Sequence, residues 1–70
     1  MSLGWLSTSQ SSKNGTSNGG FNHDRNKWYA NVYIYVNGDS TNWNHYYYES
    51  MSWRKVDQWL ESMRLKYDLR

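Results

Sequence analysis

The run KWYANVYIYV-NGDST-NWNHYYYE, residues 27–49, constrains this chain more than any other stretch. Its first arm alternates without a break. Trp28, Ala30, Val32, Ile34 and Val36 fall on one parity, and Tyr29, Asn31, Tyr33 and Tyr35 on the other. Successive side chains of a strand point to opposite faces, so the two sets define an apolar face and a tyrosine face. Asn37-Gly38 follows at once. Both residue types tolerate the positive φ of a type I′ turn, and between two such runs they predict a β-hairpin.

A two-residue loop would pair Val36 with Asp39, Ile34 with Thr41, Val32 with Trp43, Ala30 with His45 and Trp28 with Tyr47. The apolar face then continues through the odd residues of the second arm. The opposite parity would bury Asn42 and Asn44, at about 1–3 kcal/mol for each unpaired amide. The expected register is therefore odd-in. The open face is expected to carry Tyr29, Asn31, Tyr33, Tyr35, Asn42, Asn44, Tyr46 and Tyr48, a tyrosine–asparagine surface that needs a cover or a partner.

Seventy residues allow one small domain, marginal without a staple. Cysteine is absent, which removes disulfides and thiolate metal sites and suits a reducing, cytoplasmic setting. Mean hydropathy is −1.08, low enough to suggest disorder. The thirteen aromatic residues argue the other way, and ten of them lie between Trp28 and Trp59. The expectation is a folded half, 27–70, behind a flexible Ser/Asn/Gly-rich segment, 1–26, that is linker-like from Ser7 to Gly20. A lone hairpin is rarely stable, so a third strand is expected from this region. Leu3, Trp5 and Leu6, or Gly20-Phe21-Asn22, could supply it. No leader peptide and no apolar run of about 18 residues stands out, so no membrane role is expected. Asn14-Gly15-Thr16 matches a glycosylation sequon and, without a leader, reads as chance.

After the hairpin, Ser52 is placed as a helix N-cap, with Met51 and Val56 forming a hydrophobic staple. Trp53, Val56, Leu60, Met63 and Tyr67 recur at helical spacing, with Trp59 on the shoulder, over a helix of about 53–69. That stripe should pack on Trp28, Val32, Ile34 and Trp43. The helix ends in charge rather than glycine, so fraying of its last turn is expected, with Leu65 and Leu69 away from the core. The fold class that results is α+β: a small antiparallel sheet with one C-terminal helix on one face.

Chemistry-bearing residues are sparse. His23 lies in a loop near Asp24, and His45 is placed on the inner face as a packed, hydrogen-bonded residue. Their spacing does not suggest metal ligation. No nucleophile elbow, phosphate loop, HExxH or paired carboxylates occur, so neither enzyme activity nor a cofactor is expected. On the helix, Lys55, Lys66 and Arg70 share one flank. Asp57, Glu61 and Asp68 share the other, where Arg64 can pair with Glu61 and Asp68. Net charge is +2, and residues 1–50 carry three basic and three acidic side chains.

The order KWYANVYIYVNGD, an aromatic strand, then SWRKVDQWLESM resembles the sheet-plus-helix module of phage-type tyrosine integrase N-termini and of AP2-type domains. The resemblance covers about residues 27–67 and rests on Trp28, Ala30, Val32, Gly38, Trp53, Val56 and Trp59, all core or turn positions. It implies a sheet backed by one helix, and a sheet face laid in the DNA major groove. Such modules place Arg and Lys on that face, whereas here Lys27 stands there alone.

Two functions follow as expectations. The first is a protein-binding module of phage- or mobile-element accessory or inhibitor type, using the nearly uncharged Tyr/Asn face or associating with itself through that face. The alternative is a nucleic-acid binder that stacks bases on tyrosines, with Arg25, Lys27, Lys55 and Lys66 as phosphate contacts. The shortage of cations favours protein; a sugar ligand is a minor third option.

Overall fold

The computed structural model describes residues 10–69. Four strands are followed by one helix: β1 Gln10–Ser12, β2 Gly15–Asn22, β3 Lys27–Val36, β4 Asp39–Ser50 and α1 Trp53–Lys66. Every neighbouring pair is antiparallel, in the order β1-β2-β3-β4. The helix packs on one face of the sheet, mainly against β3 and β4. This is the expected α+β layout with one more strand than the hairpin required.

The additional strands come from residues expected to be linker. Side-chain hydropathy is a poor guide there, because a β ladder is held by backbone groups that every residue except proline supplies. The inner positions of β2 are Gly15, Ser17, Gly19 and Phe21, opposite Ile34, Val32, Ala30 and Trp28. Small residues are what that position demands. A Cβ on Gly15 would stand 2.1 Å from the Tyr33 carbonyl oxygen and 3.1 Å from a Leu69 methyl. The Gly20-Phe21-Asn22 strand is therefore present, as part of a longer one. Leu3, Trp5 and Leu6 lie outside the described residues.

The hairpin turn is as expected, with Asn37 at φ 53° and Gly38 at φ 75°. The register is not. Val36 pairs with Asp39, but Tyr35 pairs with Trp43, so Ser40, Thr41 and Asn42 have no partners on β3. The Asp39 carboxylate shapes this bulge by accepting from the Thr41 backbone N–H (2.9 Å) and hydroxyl (2.7 Å). An odd surplus reverses parity. Asn44, Tyr46 and Tyr48 therefore lie on the helix side, opposite Ile34, Val32 and Ala30, while Trp43, His45 and Tyr47 turn to the open face. The amide penalty that argued against this register does not arise, because Asn42 and Asn44 are exposed.

The core is Ala30, Val32, Val56, Leu60 and Leu69, with Trp28, Ile34, Tyr48, Trp53, Trp59, Met63 and Tyr67 packed around it. On the β4 side Tyr48 stacks on Trp59 (5.5 Å) and Tyr46 on Tyr67 (6.2 Å). On the β2 side Arg64, fully buried, donates from Nε to Ser17 Oγ at 2.8 Å. Burial lowers the Arg64 pKa, with the charge of Asp57 acting against it. Asp57 is fully buried too, and neither of its carboxylate oxygens has a hydrogen-bond partner among the described residues.

Both helix ends differ from expectation. Ser52 occupies the N-cap position without a side-chain cap, and its own N–H is taken by Ser50 Oγ at 3.1 Å. Met51 is 74 % exposed rather than folded over Val56. The C-terminus is closed, not frayed. Asp68 takes the left-handed conformation (φ 54°), Leu69 N–H bonds Arg64 O at 2.9 Å, and the Leu69 side chain is buried. This is the six-to-one bond of a Schellman cap, with aspartate where glycine is usual. The β1–β2 turn holds the cap from outside, Asn14 Nδ2 donating to Asp68 O at 3.1 Å.

Candidate interaction face

The face away from the helix is built by the outward positions of β2, β3 and β4. β3 supplies Tyr29, Asn31, Tyr33 and Tyr35. Opposite them stand Glu49, Tyr47, His45 and Trp43 of β4, and on the other side Gly20, Asn18 and Thr16 of β2. Of the eight residues expected on this surface, the four from β3 are there. Asn44, Tyr46 and Tyr48 belong to the opposite face, and Asn42 sits in the bulge.

The residues missed are Trp43, His45 and Tyr47. A signal for them was present in Glu49. Odd-in parity would have turned its carboxylate toward the helix, whereas the observed register leaves it at the rim beside two cations. Arg25 Nε donates to Glu49 Oε2 at 2.9 Å, and Lys27 Nζ lies 3.7 Å from the same oxygen.

The rings interlock across the strands. Tyr33 stacks on His45 at 4.6 Å and 10°, and meets Trp43 edge-on at 5.0 Å. Tyr29 and Tyr47 lie nearly parallel at 6.4 Å. Tyr29 also covers Gly20, its hydroxyl 3.4 Å from where a Cβ would be. Among these rings runs a polar chain: His45 Nε2 donates to Asn31 Oδ1 (2.9 Å), and Asn31 Nδ2 donates to Asn18 Oδ1 (3.1 Å). That chain ties β2, β3 and β4 together across the open face, so the surface is pre-ordered. His45 is hydrogen-bonded as expected, but on the open side.

One end of the face holds an open groove lined by Tyr29, Tyr47, Asn31, Phe21 and the β2–β3 turn residues Asn22, His23 and Asp24. Asn22 Oδ1 orders that turn by accepting from the N–H groups of Asp24 and Arg25 (3.0 and 3.2 Å). Burial raises the Tyr47 pKa, assisted by hydrogen bonding to Glu49. The hydrogen bond from Arg25 holds Glu49 below the usual carboxylate range.

The four cations expected as phosphate contacts do not share a surface. Arg25 and Lys27 lie at the Glu49 end of the sheet, while Lys55 and Lys66 are exposed on α1, across the thickness of the molecule. Lys66 sits 5.3 Å from the Tyr67 ring centre. Among the described residues no three His, Cys, Asp or Glu side chains are grouped to hold a metal ion, and no helix is long and apolar enough to cross a membrane. Comparisons with protein-family models, with curated proteins and with solved structures find no match to this chain.

Proposed function

We propose that this chain is a small non-enzymatic binding module that presents its open sheet face to a protein partner. The observation that carries this reading is the make-up of that face. It displays five large rings, Tyr29, Tyr33, Tyr35, Trp43 and Tyr47, set around a hydrogen-bonded Asn18–Asn31–His45 chain, with charge confined to the Glu49 end. Trp43 and Tyr47 are 48 % and 46 % exposed, a large apolar area for a chain of this size to leave in water. Rigid amphipathic rings interleaved with amides are the composition of a protein-recognition surface, and ordering them beforehand lowers the entropy cost of binding.

The nucleic-acid reading has less support. Tyr33 and His45 each give one ring face to the other, and Glu49 is paired with the nearest cations, Arg25 and Lys27. Base stacking needs free ring faces, and non-specific affinity comes mainly from phosphate contacts.

Amide NMR of the labelled protein with mixed single-stranded DNA, at about 50 and about 300 mM salt, separates the two through their salt dependence. We expect no salt-dependent shifts at Tyr33, Trp43, His45 or Tyr47. We also expect a protein captured from lysate by the wild type to be retained by Lys55→Glu/Lys66→Glu and lost by Trp43→Ala/Tyr47→Ala. Shifts that appear at low salt and vanish at high salt would reverse the order of the readings.

A further inference from the structure

β4 is an edge strand, with no strand beyond it among the described residues. It spans twelve residues, against three for β1 at the other edge. An edge offers a row of unpaired N–H and C=O groups, and folded proteins usually guard it with proline, lysine, inward charges or short length. Between Ser40 and Tyr48 β4 has no proline and no acidic or basic residue other than His45. Its two acids stand at the ends and are engaged within the chain, Asp39 by Thr41 and Glu49 by Arg25. The bulge at Ser40–Asn42 twists only the turn end; from Trp43 to Ser50 pairing with β3 is regular.

We propose that this edge takes β4 of a second copy, antiparallel, about a twofold axis through His45, joining two four-stranded sheets into one. The argument for a second copy is charge and side-chain complementarity. Residues directly opposed in an antiparallel pair share a face, so odd positions oppose odd ones. Centred on His45, Trp43 opposes Tyr47 of the second copy, Asn44 opposes Tyr46, and Glu49 opposes Thr41. Centred on Asn44, Asp39 would oppose Glu49, acid against acid. Centred on Tyr46, the Glu49 carboxylate would oppose the Trp43 ring. Of these three registers only the one on His45 pairs Trp43 with Tyr47 and Asn44 with Tyr46 while opposing neither acid to acid nor carboxylate to ring. It also overlaps all of Ser40–Ser50, where a register centred on Tyr47 would overlap only Asn44–Ser50. α1 lies on one side of the sheet, and among the described residues no element pairs with the edge, so both open faces would lie on the same side of the joined sheet.

The absence of cysteine from the chain makes the register directly readable. Opposed Cα atoms at the axis would be about 4.5–5.5 Å apart, within the span of about 4.4–6.8 Å that a disulfide needs. His45→Cys places one sulfur from each copy there. Asn44→Cys and Tyr46→Cys place like residues two positions out of line. Under mild oxidation we expect His45→Cys to form a covalent dimer at least about tenfold faster than either neighbour, given the disulfide distance limit. For the wild type we expect a monomer–dimer equilibrium in sedimentation, with Kd between about 10 μM and 1 mM, because a strand pair buries less than a standard interface. His45→Lys, which opposes two ammonium groups, should weaken that dimer at least about tenfold while the circular dichroism is kept. A wild type that stays monomeric at about 1 mM overturns the proposal. Cross-linking at all three positions at one rate also overturns it, since random collision would account for that.

Discussion

At the scale of single residues, two carboxylates give the stability of this fold opposite responses to pH. Glu49 is held low by its hydrogen bond from Arg25. Its contribution is present above the ordinary carboxylate value of about 4 and fades as pH falls through the lower folded value. Asp57 is pushed up, first by burial and then by Glu61, with Arg64 opposing. Its protonated form suits the fold, so its contribution is complete below the ordinary value and is lost as pH rises through the raised one. Asp57→Asn should therefore stabilise the protein at neutral pH by about 1 kcal/mol, the scale of a poorly satisfied buried group, and remove that slope. Urea unfolding of both forms at about pH 4 and pH 7 measures it, with the gain expected only at the higher pH. Glu49→Gln should flatten the opposite slope. On the helical wheel the sequence put Asp57 on the charged flank with Glu61 and Asp68. What it could not display is the small inner surface of β2, over which Arg64 reaches to Ser17.

At the scale of elements, period was legible and phase was not. The alternation of β3, the Asn37-Gly38 turn and the helical stripe each rest on local rules, and each element formed where those rules placed it. The facing of β4 depends on how many residues the turn end absorbs, which the strand pattern does not encode. Tyr46, Tyr47 and Tyr48 in succession suit either parity. Of the residues expected on the open face, those along β3 are therefore placed there and those along β4 are displaced by one. Of the N-terminal strands only the Gly20-Phe21-Asn22 end was legible, for a different reason: Gly15, Ser17 and Gly19 are chosen for closeness to β3 and α1, and small residues leave no periodic signal. At the helix C-terminus, Asp68 holds a conformation that costs an L-residue about 1 kcal/mol relative to glycine. Asp68→Gly should recover about that amount, raising the melting temperature by roughly 4–8 °C in a domain of this size. A melt followed at 222 nm reads it, and no gain would mean that the carboxylate contributes something the backbone geometry does not show.

At the scale of the whole molecule, the sheet keeps apart two kinds of surface. The helix side spends its aromatic residues inward: Tyr48 on Trp59, Tyr46 on Tyr67, Trp28 on Phe21. The other side spends them on one another and on solvent. Which rings go where is decided by the three residues Ser40, Thr41 and Asn42, which have no partners on β3 and are exposed. They act like a reading frame. Removing Thr41 alone leaves an even surplus and should turn the far arm over, pulling Tyr46 and Tyr48 off the helix and costing the cooperative fold. Removing Ser40 and Thr41 together restores an odd surplus and should return a native-like amide spectrum, with Trp43, His45 and Tyr47 again outside. A lineage of such chains could therefore exchange its entire contact surface through one small insertion or deletion at a solvent-exposed corner, a route that no scan of single substitutions would reveal.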